Sequence, residues 1–184
     1  MTHSSLSLLL SAVLVLPAVP ARAACDELLR AVSPTARFTV KPDGTATDTR
    51  TGLTWQRCPV GTVLDDGGTP THLADDHCVP SASAQQTFSW SAALQAAQAL
   101  NSAGGFAGFT DWRVPNRKEL LSIVETRCTG PAINSQVFPD TPVDSFFTST
   151  PSVTSQGTVY SVEFGDGFEL PVGKISLLRV RLVR

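Results

Sequence analysis

Hydrophobic residues crowd the first part of the chain, then alternate or recur with a helical period. Leu6 to Leu16 is an almost unbroken apolar run, about the length of a secretory h-region and short for a membrane span. Pro17 and Pro20 break it, and Ala21-Arg22-Ala23 puts small residues at the two positions a signal peptidase reads. The pattern predicts a leader over 1–23, cleaved after Ala23, and a single domain over 24–184. The stretch ahead of the apolar run has no Lys or Arg, a weak basic end for a leader. Arg22-Ala23-Ala24-Cys25 also offers a lipoprotein-type ending anchored through Cys25, which the Arg at the aliphatic position disfavours. No later apolar run is long enough to span a bilayer, so the mature chain is expected to be exported, to the periplasm or the cell surface, without a transmembrane span.

Beyond Cys25 the pattern is extended. Residues 37–57, RFTVKPDGTATDTRTGLTWQR, alternate β-favouring residues around the turn signals Pro42-Asp43-Gly44 and Thr51-Gly52, predicting a meander with Phe38, Val40, Leu53 and Trp55 inward. Residues 59–87 show no hydrophobic periodicity and read as a polar loop. A helix is predicted over Ser89–Ser102: Ser89 caps, Trp90, Leu94, Ala97 and Leu100 recur at helical spacing, and Gly104-Gly105 stop it. A second follows Pro115, with Asn116 and Glu119 forming a capping-box pair, Leu120, Leu121, Ile123 and Val124 on its apolar side, and an end near Cys128. Phe146-Phe147-Thr148-Ser149-Thr150 reads as a short strand, and Val159–Phe164 as another ahead of the Gly165-Asp166-Gly167 turn. Leu177–Val183 reads as a half-buried strand, with Arg179 and Arg181 on one face and Leu178, Val180 and Leu182 on the other. Strands, two helices and strands again make an α+β domain.

Charge and cysteines narrow the function. The 184 residues carry 14 Lys and Arg against 16 Asp and Glu, a formal charge of −2, and removing the leader takes away Arg22 and no acid. No global field draws such a chain to nucleic acid. Four cysteines in an exported chain, none in a CxxC pair, read as two disulfides. Of the three possible pairings, the preferred one joins Cys58 to Cys78 around the polar loop and Cys25 to Cys128. Cys78 follows Asp75-Asp76-His77, where carboxylates disfavour a thiolate nucleophile.

Several clusters invite chemistry and are read more plainly. Asp43 and Asp48 lack an EF-hand spacing. Asp65, Asp66, His72, Asp75, Asp76 and His77 sit at no recognised metal spacing, so neither metal nor cofactor is assigned. Glu119 and Glu125 invite an acid/base reading, which is rejected because Glu119 has a capping role and no third group converges. Trp55 and Trp90 read as core. Candidate ligand-binding residues are Lys174, Arg179 and Arg181, which cluster with Arg184 near the C-terminus, and Trp112, which could stack on a sugar but reads first as a structural corner beside Asp111 and Arg113.

The segments GTATDTRTGLTWQRC (44–58), FSWSAALQAAQALN (88–101), GFAGFTDWRVPNRKELLSIVE (105–125), PAINSQVFPDTP (131–142), FFTSTP (146–151), YSVEFGDG (160–167) and RVRLVR (179–184) together resemble the Lcl C-terminal domain family, a bacterial exported domain. Phe147, Thr148 and Thr150 depart from the Trp-Ser-Ser-Ser-Pro that relatives often show. The resemblance implies a C-type-lectin-like fold, two helices packed on small antiparallel sheets and stabilised by disulfides. It also implies a binding or adhesion role: the best-known member is the terminal domain of a collagen-like adhesin, which trimerises and binds sulfated glycosaminoglycans through a basic trough. A glycan, an envelope or surface protein, and a second copy of the chain are the implied partners. Counterion release from a polyanion needs clustered Lys and Arg, and the acidic balance here does not carry that part over. Two further readings are an envelope assembly protein and an oxidase like the formylglycine-generating enzymes, which use paired redox cysteines and a metal on a distantly similar fold.

Overall fold

A computed structural model describes residues 23–69, 72–82, 84–153 and 155–184. The expected leader, apart from Ala23, lies outside the described residues. The elements in chain order are β1 (Ala24–Cys25), β2 (Phe38–Val40), β3 (Thr45–Asp48), β4 (Thr54–Gln56), β5 (Thr62–Asp65), β6 (His77–Pro80), α1 (Trp90–Ser102), α2 (Arg117–Leu121), β7 (Cys128–Thr129), β8 (Ser145–Pro151), β9 (Thr158–Glu163) and β10 (Glu169–Gly173). All strand pairings within the sheets are antiparallel: β1 with β7, the meander β2-β3-β4, the hairpin β5-β6, and β8-β9-β10. The fold is α+β, mostly small sheets with two helices. Among the described residues no helix is long and apolar enough to cross a membrane.

Two cores share the β8-β9-β10 sheet. Successive strand residues face opposite sides, so Phe146 enters a core with Phe38, Trp55, Leu120, Phe138 and Phe164. Phe147 enters another, with Phe88, Ala93, Ala97, Trp112 and Val180. The Phe-Phe pair thus serves both layers, and Leu182 and Val183 divide in the same way.

The local signals behave as their chemistry requires. Ser89 Oγ accepts from Ala92 N–H at the start of α1. The Asn116 side chain accepts from Glu119 N–H while Glu119 accepts from Asn116 N–H, a complete capping box. After α1 the chain turns through Gly105 (φ +79°), where a Cβ would lie 1.8 Å from Phe109 O, so only glycine fits. Both disulfides of the preferred pairing form, Cys25–Cys128 directly across β1 and β7, and Cys58–Cys78 joining the segment ahead of β5 to β6.

Three expectations are corrected, and one strand, β10, was not expected. The 59–87 segment is not all loop: β5 and β6 pair within it, and their alternation escapes notice because Val63 and Val79, opposite each other, face solvent. The second helix ends at Leu121 rather than near Cys128; Ile123 and Val124 still enter the core, from turns. β10 had no sequence signal because Pro171 stands in it; β10 is an edge strand, where proline is tolerated and blunts pairing with another chain. Finally, Leu177–Val183 is not a half-buried strand in one ladder. Its backbone bonds in turn to Phe88, Ser145, Phe147, Val60, Gln56 and Arg113, so it is enclosed on both faces.

Candidate functional site

That enclosure separates the candidate ligand residues. Arg181 is wholly buried. Its guanidinium donates to Gln56 O, Arg57 O and Thr141 Oγ1 and lies over the rings of Phe138 and Phe146 at 4.9 and 5.9 Å. Burial, and secondarily the neighbouring Arg57 charge, pulls its pKa down to about 9, which leaves it cationic at neutral pH. The expected wet face for this arginine is therefore corrected: it is an internal clamp. Trp112, 2% exposed, is likewise inside. Its N–H and C=O are both bonded by the Asn101 carboxamide, and its indole N–H reaches Phe106 O. Neither residue has a face to offer a sugar.

Lys174 and Arg179 remain at the surface, but their charges are engaged. Arg179 pairs with Asp144 at 3.2 Å and donates to Gln86, and Lys174 Nζ sits 4.9 Å from the Trp90 ring centroid. Arg184 pairs with Asp111, whose carboxyl that bond holds below its ordinary pKa. Arg113 instead grips Glu119, so the expected Asp111–Arg113 contribution is replaced by two separate pairs. Burial alone would raise the Glu119 carboxyl; bonds from Arg113 and Asn116 N–H outweigh it and lower the pKa. Counting the pairs of Arg37, Arg57, Arg117 and Arg127, seven arginines are neutralised within the chain. Of the candidate cluster, Arg179 and Arg184 are therefore already paired and Arg181 is buried, which among the described residues leaves Lys174 alone without a carboxylate partner for a polyanion.

The acidic clusters are dispersed by the same logic. Asp43 accepts from Thr45, Asp48 pairs with Arg37, Asp65 and Asp66 close turns at Gly67 and Gly68, and Asp76 pairs with Arg57 at 2.5 Å. Asp75 accepts from Thr69 and pairs with His72. Among the described residues no group of three or more His, Cys, Asp or Glu side chains converges as metal ligands.

What the fold does bring together is a cleft of about 360 Å³ between the β1-β7 disulfide, the 33–35 approach, the 134–136 turn and the start of β6. Glu125, 2% exposed, organises one wall by accepting the Val32 and Ser33 N–H groups. Asn134 donates to Ser33 O and Thr35 Oγ1, and Thr35 in turn donates to Gln136. On the opposite wall the Asp140 carboxylate takes Cys78 N–H at 2.9 Å and His77 Nδ1 at 3.0 Å. Ser135 Oγ and Arg127 Nε, both lining residues, make no hydrogen bond. The lining thus combines hydroxyls, amides, an imidazole, the Arg127 guanidinium and the carboxylates of Glu27, Asp76, Glu125 and Asp140, the mixed donors and acceptors that fit a polyhydroxylated ligand. Sequence reasoning missed this cleft because its residues come from five separated segments, each with an innocuous local pattern.

A family model described as the Lcl C-terminal domain matches residues 44–184, from the turn between β2 and β3 to residue 184, so the Cys25–Cys128 bridge ties the preceding segment to the matched region. No curated protein matches the chain.

Proposed function

The chain belongs to the Lcl C-terminal domain family, and from that premise we propose that it is an exported, non-catalytic binding module on a C-type-lectin-like scaffold, recognising a neutral glycan through the cleft beside the β1-β7 disulfide. The observation that carries this reading is the cleft itself, whose lining gathers the hydrogen-bonding side chains of Thr35, His77, Asn134, Gln136 and Asp140 around one polar space. The lectin-like element of the reading is supported by the returning C-terminal segment, which bridges back to Trp55 of β4. Export is supported by the two disulfides, which persist in oxidising compartments. With all four cysteines bridged, no free thiol supports an oxidase. The engaged arginines turn the ligand preference from sulfated to uncharged sugars; Lys174 and Arg179 contribute at most at the margin of a larger contact.

A glycan array and a heparin column, both run with the mature disulfide-bonded chain, test the proposal. Retention of neutral glycans that is lost on Ser135→Trp supports it; no retention of any glycan at low salt overturns it. One observation favours a second reading, an envelope assembly protein: Phe168, Leu170, Ile175 and Leu177 are all at least half exposed around β10. A pull-down from envelope extract separates the two, since a protein partner resists competition by free glycan.

A further inference from the structure

A second pocket, of about 490 Å³, opens on the other side of the meander between the β5-β6 hairpin and α1. Its walls are largely apolar: Val60, Leu64, Ala96, Leu100, Phe106 and Leu182. The volume is room for roughly sixteen waters at about 30 Å³ each, most of which would face hydrocarbon, so displacing them with an apolar body is favourable. The wall formed by Phe106 depends on glycine. Gly44, at φ +83°, would place a Cβ 3.0 Å from Phe106 Cζ, so a side chain there would push the ring aside.

The floor is polar at one point. Trp55 turns into the first core, so its neighbour Gln56 faces the opposite side of β4, where it lines the pocket. Gln56 is only 8% exposed, yet its carboxamide makes no hydrogen bond among the described residues. It offers one acceptor and two donor hydrogens at the bottom of an apolar space. The lining residues include a single charged group, Asp43, at the mouth, its Oδ1 taken by Thr45 N–H and Oγ1. A carboxylate there repels an anionic head group.

We infer that this pocket is a binding site, distinct from the polar cleft, for a small neutral amphiphile whose aromatic or aliphatic body fills the apolar walls and whose single polar group hydrogen-bonds the Gln56 carboxamide. The site resembles general small-molecule pockets in its size, its apolar walls and its one convergent polar group. It rests on none of the glycan argument, and either can fail alone.

Two fluorescent probes with the same aromatic body test it on the full disulfide-bonded chain: neutral N-phenylnaphthylamine, whose N–H can donate to Gln56, and its anionic sulfonated counterpart, anilinonaphthalene sulfonate. The neutral probe is expected to bind at least about tenfold more tightly. Ala96→Phe, which fills the pocket from the half-buried face of α1, should weaken it at least about tenfold. Gln56→Leu should weaken it about fivefold, the size of one neutral hydrogen bond. In the unaltered protein, saturation with the neutral probe should shift the Gln56 side-chain NH₂ resonances, a readout that needs no variant to fold. Equal binding of the two probes, full binding by Ala96→Phe, or unmoved Gln56 resonances would each overturn the inference.

Discussion

Replacing Arg181 with alanine probes the clamp at the centre of the molecule. The side chain gives charge-assisted hydrogen bonds to two main-chain carbonyls and the Thr141 hydroxyl, at ~1.5–3 kcal/mol each. Its removal also leaves a cavity between Phe138 and Phe146, worth about 2 kcal/mol or more by analogy with other large-to-small core changes. Against these stands the relief of no longer burying a charge that has no carboxylate partner, several kcal/mol. The balance is a loss of about 3 kcal/mol, which for a chain of this size lowers Tm by about 6–12 °C. Urea denaturation followed by tryptophan fluorescence, with disulfides intact, measures it. Arg181→Lys should not rescue, because a point charge cannot replace the planar fork. Arg179→Ala, by contrast, removes one partly exposed ion pair and should cost less than about 1 kcal/mol. An Arg181→Ala protein within about 0.5 kcal/mol of the parent, as for an ordinary surface change, would refute the internal-clamp reading and restore the arginine strip.

Other outcomes follow from the same geometry. Burial would raise the Asp48 carboxyl, but bonds from Arg37, Thr51 and Arg50 N–H hold its pKa below the ordinary value. The unfolded chain therefore binds the proton more readily, and the stability contributed is fully present above about pH 4 and lost as pH falls through the lowered folded value. Asp48→Asn should remove that acid limb from a stability-versus-pH titration and cost about 3–5 kcal/mol at neutral pH, since Arg37 is left buried and unpaired. Loop closure over sequence separations of 103 and 20 predicts that serine replacement of the Cys25–Cys128 pair costs about 5 kcal/mol and of the Cys58–Cys78 pair about 3, measured by urea midpoints of the two double variants. Gly105→Ala, with a Cβ driven against Phe109 O, should lose about 2 kcal/mol or more, read as a fall in Tm.

The features legible in the sequence were those whose cause is local. Asn116 with Glu119, Ser89, and the glycines after α1 announced themselves because a cap or a left-handed turn needs a particular residue at a particular offset. The cysteines were legible through count and compartment. Features set by what covers a face were not. The alternation in Leu177–Val183 correctly separated Arg179 and Arg181 from Leu178, Val180 and Leu182, but alternation does not say whether the polar face meets water. Here Phe138 and Phe146 cover Arg181, and nothing near residue 181 records that. Gln56 carries the same lesson: one polar residue in a strand of buried neighbours, whose free carboxamide emerges only when α1 and the β5-β6 hairpin leave a space above it.

The central claim is recognition of an uncharged ligand by a cleft whose one guanidinium, that of Arg127, is already paired with Glu27. Salt dependence tests it most directly. Binding to the tightest neutral glycan found, measured by calorimetry from 50 to 500 mM salt, should give a slope of log K against log[salt] near zero, with heparin binding absent or weak throughout. A steep negative slope with tight heparin binding at low salt, the signature of counterion release from many contacts, would contradict it.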